Sequence, residues 1–348
     1  MLNVYFQMLN YNTMMKSRFF MPLVAMVISG LLFTGCSEED DDNNNNQNDT
    51  PTLAGLVSGD ARFSILADAL SRTGLDVTLD GSGSFTVFAP NDAAFAALFS
   101  DLGVADLDEA LNTLGEEAIS NILLYHVLNA EVRAADVTTG YVSSLGVNER
   151  NNALSIYINV GSTVELNGIA AVETTDLEAS NGVAHEIDAV ITPLNIYQLI
   201  EVNENFSSLE AALGLADGNL DLVLSDNTAY TLFAPDNEAF NDLVAATPGV
   251  NDLGELVAAL GTDVLANVLL YHVVVGEVRA DDLSTGNVTT AASTVMTGSL
   301  SFFVNLGMNG SVTIVDGSAS TNDANVTQTD ITGTNGAVHF LDNVLLPL

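Results

Sequence analysis

The chain has 348 residues, 48 % of them hydrophobic and 15 % charged, which is enough for packed cores in about two domains of ordinary size. It has 45 acidic residues against seven basic ones, and the part after Cys36 carries five arginines and no lysine, an excess of 40 negative charges. Such a surface repels phosphate backbones and anionic headgroups, so the composition argues against nucleic-acid binding.

The amino-terminal segment has the pattern of a signal peptide. Lys16 and Arg18 precede an uncharged apolar run over 19–33, which is shorter than the roughly 20 residues that span a bilayer. The run ends in LFTGC, and its Cys36 is the only cysteine of the chain. This end resembles the lipobox of bacterial lipoproteins, which predicts a signal peptide over 1–36 and lipidation of Cys36. A plain secretory peptide is the alternative.

Two further features frame this segment. Residues 1–13 do not resemble the start of a signal peptide, and they predict an extension before a true start at Met14 or Met15. Residues 37–50 are acidic and Asn-rich, with no apolar side chain, and are predicted to form a solvated tether. Acidic residues after a lipidated cysteine resemble the signal for the outer face of the outer membrane in some bacterial lipoproteins. The periplasmic face is the alternative placement.

The rest of the chain is an internal duplication with a period of about 145 residues. Matching segments recur in the same order: FTVFAPNDAAFAAL at Phe85 and YTLFAPDNEAFNDL at Tyr230, NILLYHV at Asn121 and NVLLYHV at Asn267, NGVAHEIDAVITPL at Asn181 and NGAVHFLDNVLLPL at Asn335. The period is that of a whole domain rather than of a solenoid repeat. We therefore expect two tandem domains, over 51–194 and 195–348.

In chain order, the first predicted strand of each copy ends in a corner. Residues 85–88 alternate aromatic and β-branched types, which is typical of a half-buried strand. Pro90 and Pro235 are expected to end the strands, since proline donates no N–H to a ladder. Asn91 and Asp236 then stand where a helix N-cap belongs.

The later elements predict an α+β fold. Leucine and isoleucine spacing predicts one helical stretch over 107–123 that leads to a Tyr-His pair. Residues 131–134 are extended or turn-like, and strands are predicted over 153–160, 169–177 and 185–193, with equivalents in the second copy. The result is a helical layer followed by a predominantly antiparallel sheet.

The motifs FTVFAPND, LLYHV and NGxxHx[IL]Dx[VI][IL]xP, present twice in this order, resemble the fasciclin domain over about 53–348. The resemblance implies that each domain is a compact β-strand wedge or sandwich with several packed helices. It also implies adhesion rather than catalysis, because the family occurs in cell-surface and matrix proteins.

The Tyr-His segment allows two interpretations. In animal family members it has been proposed as an integrin-binding region, which by resemblance makes it a candidate partner-contact motif. The residues concerned are Tyr125, His126, Tyr271 and His272, with Leu123, Leu124, Leu269 and Leu270. A lone histidine in an aliphatic run is more often a core residue whose nitrogens bind backbone groups. We expect the structural role first and the contact role second.

No catalytic residue, metal site or cofactor is predicted. The sequence contains no thiol besides Cys36, no nucleophile elbow and no Gly-rich phosphate loop. His185 and His339 are each followed by an aspartate three residues on, but nothing selects a serine to join them, so we predict structural roles. Weak calcium binding at the acidic surface stays open. Arg133 and Arg279 are expected to pair with nearby acids.

Taken together, these patterns predict a non-catalytic adhesion lipoprotein of the cell surface. Its partner would be a matrix or cell-surface protein or a polysaccharide, and it would touch the membrane only through its lipid. The alternative is a surface or periplasmic scaffold that binds a small ligand or glycan. The chain has no tryptophan, which argues against a sugar site built on ring stacking. The sequence does not determine the oligomeric state.

Overall fold

The structure is a computed structural model, and it describes residues 50–294, 298–316 and 323–347. Within these ranges the chain repeats one order of elements twice: helices, a strand, more helices, and then a run of strands. The predicted signal peptide, Cys36 and all but the last residue of the tether lie outside the described residues.

The first domain contains six α-helices in the described part of the chain: α1 Leu53–Gly59, α2 Ser64–Thr73, α3 Asp76–Asp80, α4 Asp92–Leu102, α5 Leu107–Leu114 and α6 Glu116–Tyr125. Its strands are β1 Phe85–Pro90, β2 Val127–Leu128, β3 Gly140–Val147, β4 Ala153–Val160, β5 Val164–Leu166, β6 Ala170–Ala179 and β7 Gly182–Ile187.

The second domain follows the same plan. Its helices are α7 Ile196–Glu201, α8 Ser207–Leu215, α9 Leu220–Ser225, α10 Asn237–Ala246, α11 Leu253–Leu260 and α12 Thr262–Tyr271. Its strands are β8 Tyr230–Pro235, β9 Val273–Val275, β10 Gly286–Thr294, β11 Gly298–Leu306, β12 Val312–Val315, β13 Ala324–Gly333 and β14 Gly336–Leu341.

Each domain has one seven-stranded sheet among its described residues, ordered β2-β1-β7-β6-β5-β4-β3 in the first and β9-β8-β14-β13-β12-β11-β10 in the second. The pairs β1–β7 and β8–β14 are parallel, and the other neighbouring pairs are antiparallel. The predicted α+β class with a mainly antiparallel sheet is confirmed. In each domain the parallel pair places the strand that ends in Phe-Ala-Pro (β1 or β8) beside the strand that begins at the Asn-Gly motif (β7 or β14).

The strand β1 is more buried than its alternation suggests. Residues 86–90 are all buried, so the prediction of a half-buried strand is wrong. Val87 and Ala89 face the helical core, whereas Phe88 faces a second core formed mainly by the sheet. Both faces of the strand are therefore covered by apolar side chains, one by the helical core and the other by the second core.

Two predicted boundaries differ from the structure. The helical stretch over 107–123 is two helices, because Gly115 lies between them with φ +88°, which favours glycine. The strand predicted over 185–193 ends at Ile187. Beyond it, the backbone N–H of Ile191 donates to the ring of His126 (3.0 Å) instead of to a neighbouring strand.

The strand-to-helix corners are built by the residues after each proline. Pro90 and Pro235 are the last residues of β1 and β8. The side chain of Asn91 accepts from the backbone N–H three residues on (3.0 Å), and Asp236 does the same in the second domain (2.9 Å). Each satisfies a donor that the first turn of a helix leaves without an intrahelical partner.

The two domains meet around a buried carboxylate. The side chain of Glu277 is 1 % exposed, although it belongs to the second domain and faces the first. It accepts from the amides of Asn148 (3.0 Å) and Asn152 (2.6 Å). The guanidinium groups of Arg150 (3.6 Å) and Arg279 (3.8 Å) lie on it from opposite domains. A buried charge held in this way fixes the orientation of the groups around it.

Backbone contacts extend this interface. The N–H of Thr332 in β13 donates to the hydroxyl of Ser155 in β4 (2.9 Å). The hydroxyl of Tyr141 in β3 donates to the carbonyl oxygen of Leu199 in α7. Strands of the first domain therefore contact both the sheet and the first helix of the second.

Taken one at a time, the described helices are too short or too polar to cross a bilayer. Leu253–Leu260 and Thr262–Tyr271 meet the length and composition requirement only as a pair, and they are bent by 104° relative to each other.

Candidate functional site

The Tyr-His pair of the first domain lies inside the fold. Tyr125 is the last residue of α6 and His126 follows it, with exposures of 0 % and 2 %. The Nδ1 of His126 lies 2.7 Å from the carbonyl oxygen of Ile122, and Nε2 accepts from the N–H of Ile191 (3.0 Å). Since a carbonyl only accepts and an N–H only donates, the ring is neutral and carries its proton on Nδ1.

The second domain repeats this arrangement. His272 is 0 % exposed, its Nδ1 lies 2.9 Å from the carbonyl of Val268, and its Nε2 accepts from the N–H of Leu345 (2.8 Å). Burial lowers the pKa of both His126 and His272 to about 4, and the bond to the helix carbonyl opposes this only in part. Both rings therefore stay neutral at physiological pH.

The tyrosines tie the same helices to the sheet. The hydroxyl of Tyr125 donates to the carbonyl oxygen of Ser155 (2.7 Å), and that of Tyr271 donates to the carbonyl oxygen of Ser301 (2.8 Å). Burial raises the pKa of Tyr125, so its phenol remains a donor.

The aliphatic neighbours of the pair are buried or partly buried as well. Leu123 and Leu269 are buried, at 3 % and 1 % exposure, and Leu124 and Leu270 are partly buried. All eight residues of the Tyr-His segments therefore lie in or at the edge of the core, where the leucines pack and the tyrosines and histidines form hydrogen bonds to the backbone.

His185 and His339 bridge a different pair of backbone segments. The Nε2 of His185 lies 2.9 Å from the carbonyl oxygen of Val132, and Nδ1 accepts from the N–H of Asp176 (3.2 Å), which requires the other neutral tautomer. Asp176 lies at an irregularity of β6 with φ +57°, and its carboxylate accepts from the N–H of Ala134 (3.0 Å). Asp188 accepts from a backbone N–H of its own hairpin (2.7 Å), so it forms no dyad with His185.

His339 forms the equivalent bridge in the second domain. Its Nε2 lies 2.9 Å from the carbonyl oxygen of Val278, and its Nδ1 accepts from the N–H of Asp330 (3.3 Å). Burial lowers the pKa of His339, which favours the neutral ring. Asp330 has φ +61° and accepts from the N–H of Ala280 (2.9 Å), as Asp176 does in the first copy.

The predicted pairing of two arginines with nearby acids is confirmed. Arg133 pairs with Glu131 and Glu178, both at 2.9 Å, on the surface of the first domain. Arg279 lies 3.8 Å from Glu277, which is the buried carboxylate at the domain interface. Equivalent residues thus form a surface pair in one copy and part of an interdomain cluster in the other.

Sequence reasoning missed two buried asparagines. Asn181 donates from its amide nitrogen to two carbonyl oxygens, of Leu79 and Gly81 (both 2.7 Å), and accepts from the N–H of Leu53 (2.9 Å). Asn335 forms the equivalent bonds in the second domain. The Asn-Gly pattern predicted only a turn. The recurrence of asparagine in both copies was the available indication of a further role.

A cleft of about 690 Å³ opens between the two domains, and we call it the interdomain cleft. Its apolar floor is made by the rings of Tyr141, Tyr157, Phe206 and Phe340, with centroids of neighbouring rings 4.4–5.7 Å apart. Its walls carry mainly amide and hydroxyl side chains together with the carboxylates of Asp236 and Glu238, and no basic residue is among the described residues that line it. Such a mixture suits an uncharged or cationic ligand with polar groups.

No group of three or more His, Cys, Asp or Glu residues that could hold a metal ion was found in the part of the chain that the structure describes.

Comparison with known proteins matches the Fasciclin domain to residues 61–193 and 204–347. The transforming growth factor-beta-induced protein ig-h3 of Sus scrofa is 30 % identical over 273 residues, which is 77 % of this chain and 35 % of that protein. Periostin of Homo sapiens is 28 % identical over 273 residues, 77 % of this chain and 29 % of its own length. The chain thus spans about a third of the length of these relatives.

A shorter relative and a solved structure extend the comparison. Protein sll1483 of Synechocystis is 37 % identical over 142 residues, 41 % of this chain and 73 % of that protein. The FAS1 domain pair of the insect cell adhesion molecule Fasciclin I has a TM-score of 0.51 at 20 % identity, covering 82 % of this chain and 97 % of that structure. It shares the fold of two tandem domains. The predicted resemblance is confirmed, and since the match covers both copies and well over half of the sequence, the chain belongs to the fasciclin domain family.

Proposed function

We propose that this protein is a non-catalytic adhesion protein of the cell surface. The observation that carries the proposal is the membership of both domains in the fasciclin family, whose solved domain pair comes from a molecule described as a cell adhesion molecule. Adhesion needs a displayed, rigid binding surface and no reactive group, and a pair of domains fixed to each other supplies such a surface.

The state of the histidines supports a role without catalysis. Each of the four rings uses both nitrogens on backbone groups, so none has a free nitrogen to act as a general base. We therefore assign structural roles to His126, His272, His185 and His339. We assign the partner contact of this protein to a surface other than the Tyr-His segment.

The proposed anchor is the lipidated Cys36, which becomes the first residue when the signal peptide before it is removed. The acidic tether over 37–50 would then hold the two domains away from an outer membrane, on its outer face, with the periplasmic face as the alternative. Repulsion between the strongly acidic chain and anionic headgroups supports a display in which only the lipid enters the membrane.

The proposed partner is a matrix or cell-surface protein or a polysaccharide. A second candidate function is a surface or periplasmic scaffold that binds a small ligand or glycan, and the interdomain cleft favours it. Its volume lies within the range of about 300–1,000 Å³ that is usual for small-molecule sites.

Adhesion can be tested with liposomes that carry the full chain. Their retention would be measured on layers of the parent cells and on surfaces coated with matrix proteins or polysaccharides, at low and high salt. We expect retention on at least one surface, above that of liposomes without protein. Equal retention of the two kinds of liposome on every surface would remove the adhesion proposal.

A further inference from the structure

The two copies of the domain differ at one equivalent surface, whose polar side chains bind one another in the first copy. There Arg62 forms an ion pair with Glu186, which also accepts from the hydroxyl of Thr174 (2.9 Å). The amide of Asn91 donates to Glu173 (3.1 Å). The polar groups of this surface therefore satisfy one another.

In the second copy these groups are replaced, and the replaced positions line the interdomain cleft. Aligning the repeated motifs gives the equivalences Arg62 with Asn205, Glu186 with Phe340, Thr174 with Gln328, Ala93 with Glu238, and Ala96 with Asn241. At these five positions the second copy has no ion pair, but one ring, one carboxylate and three uncharged amides. This surface is therefore uncharged at four of the five positions in the second copy.

The new polar groups are free to bind. Asn205, Asn241, Gln328 and Glu238 are exposed, and within the described residues their side chains form no hydrogen bond. Each amide offers two N–H donors and an acceptor oxygen, and the carboxylate offers acceptors only. Both donors and acceptors are therefore available around one opening.

The floor beneath them is apolar and fixed. Phe340 packs on Phe206 with ring centroids 4.4 Å apart, and it meets the edge of Tyr141 at 5.7 Å. Tyr141 comes from the first domain and is held by its hydrogen bond to the carbonyl of Leu199. Because the contacts around Glu277 hold the domains together, the cleft needs no closure to form its floor.

A ligand that matches this cleft carries hydroxyl groups on an otherwise apolar frame. Anions are disfavoured, because Asp236, Glu238 and the overall charge repel them and no described lining residue is basic. Saccharides have both hydroxyl groups and apolar C–H faces. Here the amides would supply most of the recognition, since three of the four rings are largely buried and only Tyr141 is partly exposed.

We propose that the interdomain cleft binds a segment of an uncharged polysaccharide. This inference rests on the proposed adhesive function and on a polysaccharide as the partner. It assigns recognition to hydrogen-bonding side chains of the second domain on a floor shared by both domains.

Titration calorimetry on the full chain, in a detergent without a sugar headgroup, tests the assignment. The probes are hexasaccharides of neutral glucans, mannans and galactans, with spermidine as a cationic probe and an oligogalacturonate as an anionic one. We expect binding of at least one neutral hexasaccharide and weakening by about tenfold in the double variant Asn241→Ala/Gln328→Ala, which removes two hydrogen-bonding groups. Asn112→Ala, an exposed amide on α5, is the matched control and should bind as the wild type does.

Three results would overturn the assignment: no neutral probe binds, spermidine alone binds, or the double variant binds a neutral probe as tightly as the wild type. The liposome assay keeps the two proposals separate. If the double variant Asn241→Ala/Gln328→Ala is still retained, the assignment of binding to the interdomain cleft fails and the adhesion proposal stands. Loss of retention in this variant, but not in Asn112→Ala, supports both.

Discussion

At the scale of single residues, each histidine joins two stretches of backbone that are far apart in sequence. His126 connects the last turn of α6 to the segment after β7, and His185 connects β7 to the loop before β3. A buried ring with both nitrogens engaged satisfies a carbonyl and an N–H that have no neighbouring strand to bind. This explains why one residue type recurs at two places in both copies.

Replacing His126 by alanine should destabilise the first domain by about 3 kcal/mol or more, because the carbonyl of Ile122 and the N–H of Ile191 lose their partners in the core. The measurement is urea unfolding followed by circular dichroism. Asn112→Ala, on the exposed side of α5, is the control and should change the free energy of unfolding by less than about 0.5 kcal/mol. An equally small effect of His126→Ala would argue against the structural role.

The lowered pKa of His126 also predicts how stability depends on pH. The folded state holds the pKa at about 4 against an ordinary value of 6.5, so the unfolded chain binds more protons between these values. The contribution of the neutral His126 ring to the free energy of unfolding is therefore complete above pH 6.5, and it is lost as the pH falls toward 4. This contribution should fall by about 2 kcal/mol between pH 7.5 and pH 5.

Because the many carboxylates also titrate, this pH effect is best read as a difference between wild type and His126→Gln. The gap between their unfolding free energies should narrow by that amount as the pH falls from 7.5 to 5. A gap that stays constant over this range would show that the ring of His126 is not kept neutral by the fold.

At the scale of helices and strands, the sequence predicted the strand-to-helix corners better than it predicted where other helices and strands end. The prolines and the capping residues Asn91 and Asp236 act within a few residues, so their positions can be predicted from the sequence. The break at Gly115 and the early end of β7 depend on a left-handed backbone and on a distant histidine. Neither cause is visible in the periodicity of apolar residues.

The glycine of the Asn-Gly motif is required by the close approach of two strands. Gly336 begins β14 with φ +153°, and a Cβ there would lie 1.8 Å from the carbonyl oxygen of Tyr230 in the parallel neighbour. Gly336→Ala should therefore destabilise the second domain by about 3 kcal/mol or more.

The same domain provides the control for this substitution. Gly214 lies within α8, where an added Cβ meets nothing within 4 Å. Gly214→Ala should stabilise the domain by about 0.5–1 kcal/mol, because alanine is the better helix former. Thermal unfolding of both variants measures whether each substitution stabilises or destabilises the domain. A Gly336→Ala variant as stable as the wild type would contradict the close packing of β8 on β14.

At the scale of the whole molecule, the buried Glu277 should decide whether the two domains behave as one body. Removing it leaves the amides of Asn148 and Asn152 without their acceptor in the interface, at a cost of about 1–3 kcal/mol for each amide. The equivalent Glu131 forms only a surface pair with Arg133, so its removal should cost at most about 1 kcal/mol.

This coupling can be measured with spin labels at the exposed positions Val77 and Leu222, one in each domain. Glu277→Ala should broaden the distribution of distances between the labels, whereas Glu131→Ala should leave it unchanged. An unchanged distribution in both variants would show that other contacts hold the domains together.

The interdomain cleft is the feature that the sequence could not predict. Its floor combines Tyr141 of one domain with Phe340 of the other, and their meeting depends on the relative placement of two copies that alignment treats as separate. The absence of tryptophan argued against a stacking site for sugars, which is compatible with a cleft that presents amides. The only indication in the sequence was a difference between the two copies: the charged residues Arg62 and Glu186 of the first copy correspond to the uncharged Asn205 and Phe340 of the second.

The amide of Asn181 also has a mechanical consequence. It holds the N–H of Leu53, at the start of α1, to the turn between β6 and β7, and Ser180 donates to the carbonyl of Pro51 beside it (2.8 Å). Tension applied to the chain at residue 50 is therefore passed to the sheet over a few ångströms, without first peeling α1 from the core. We expect these short bonds to bear the load first and to set the force at which a pulled domain begins to yield.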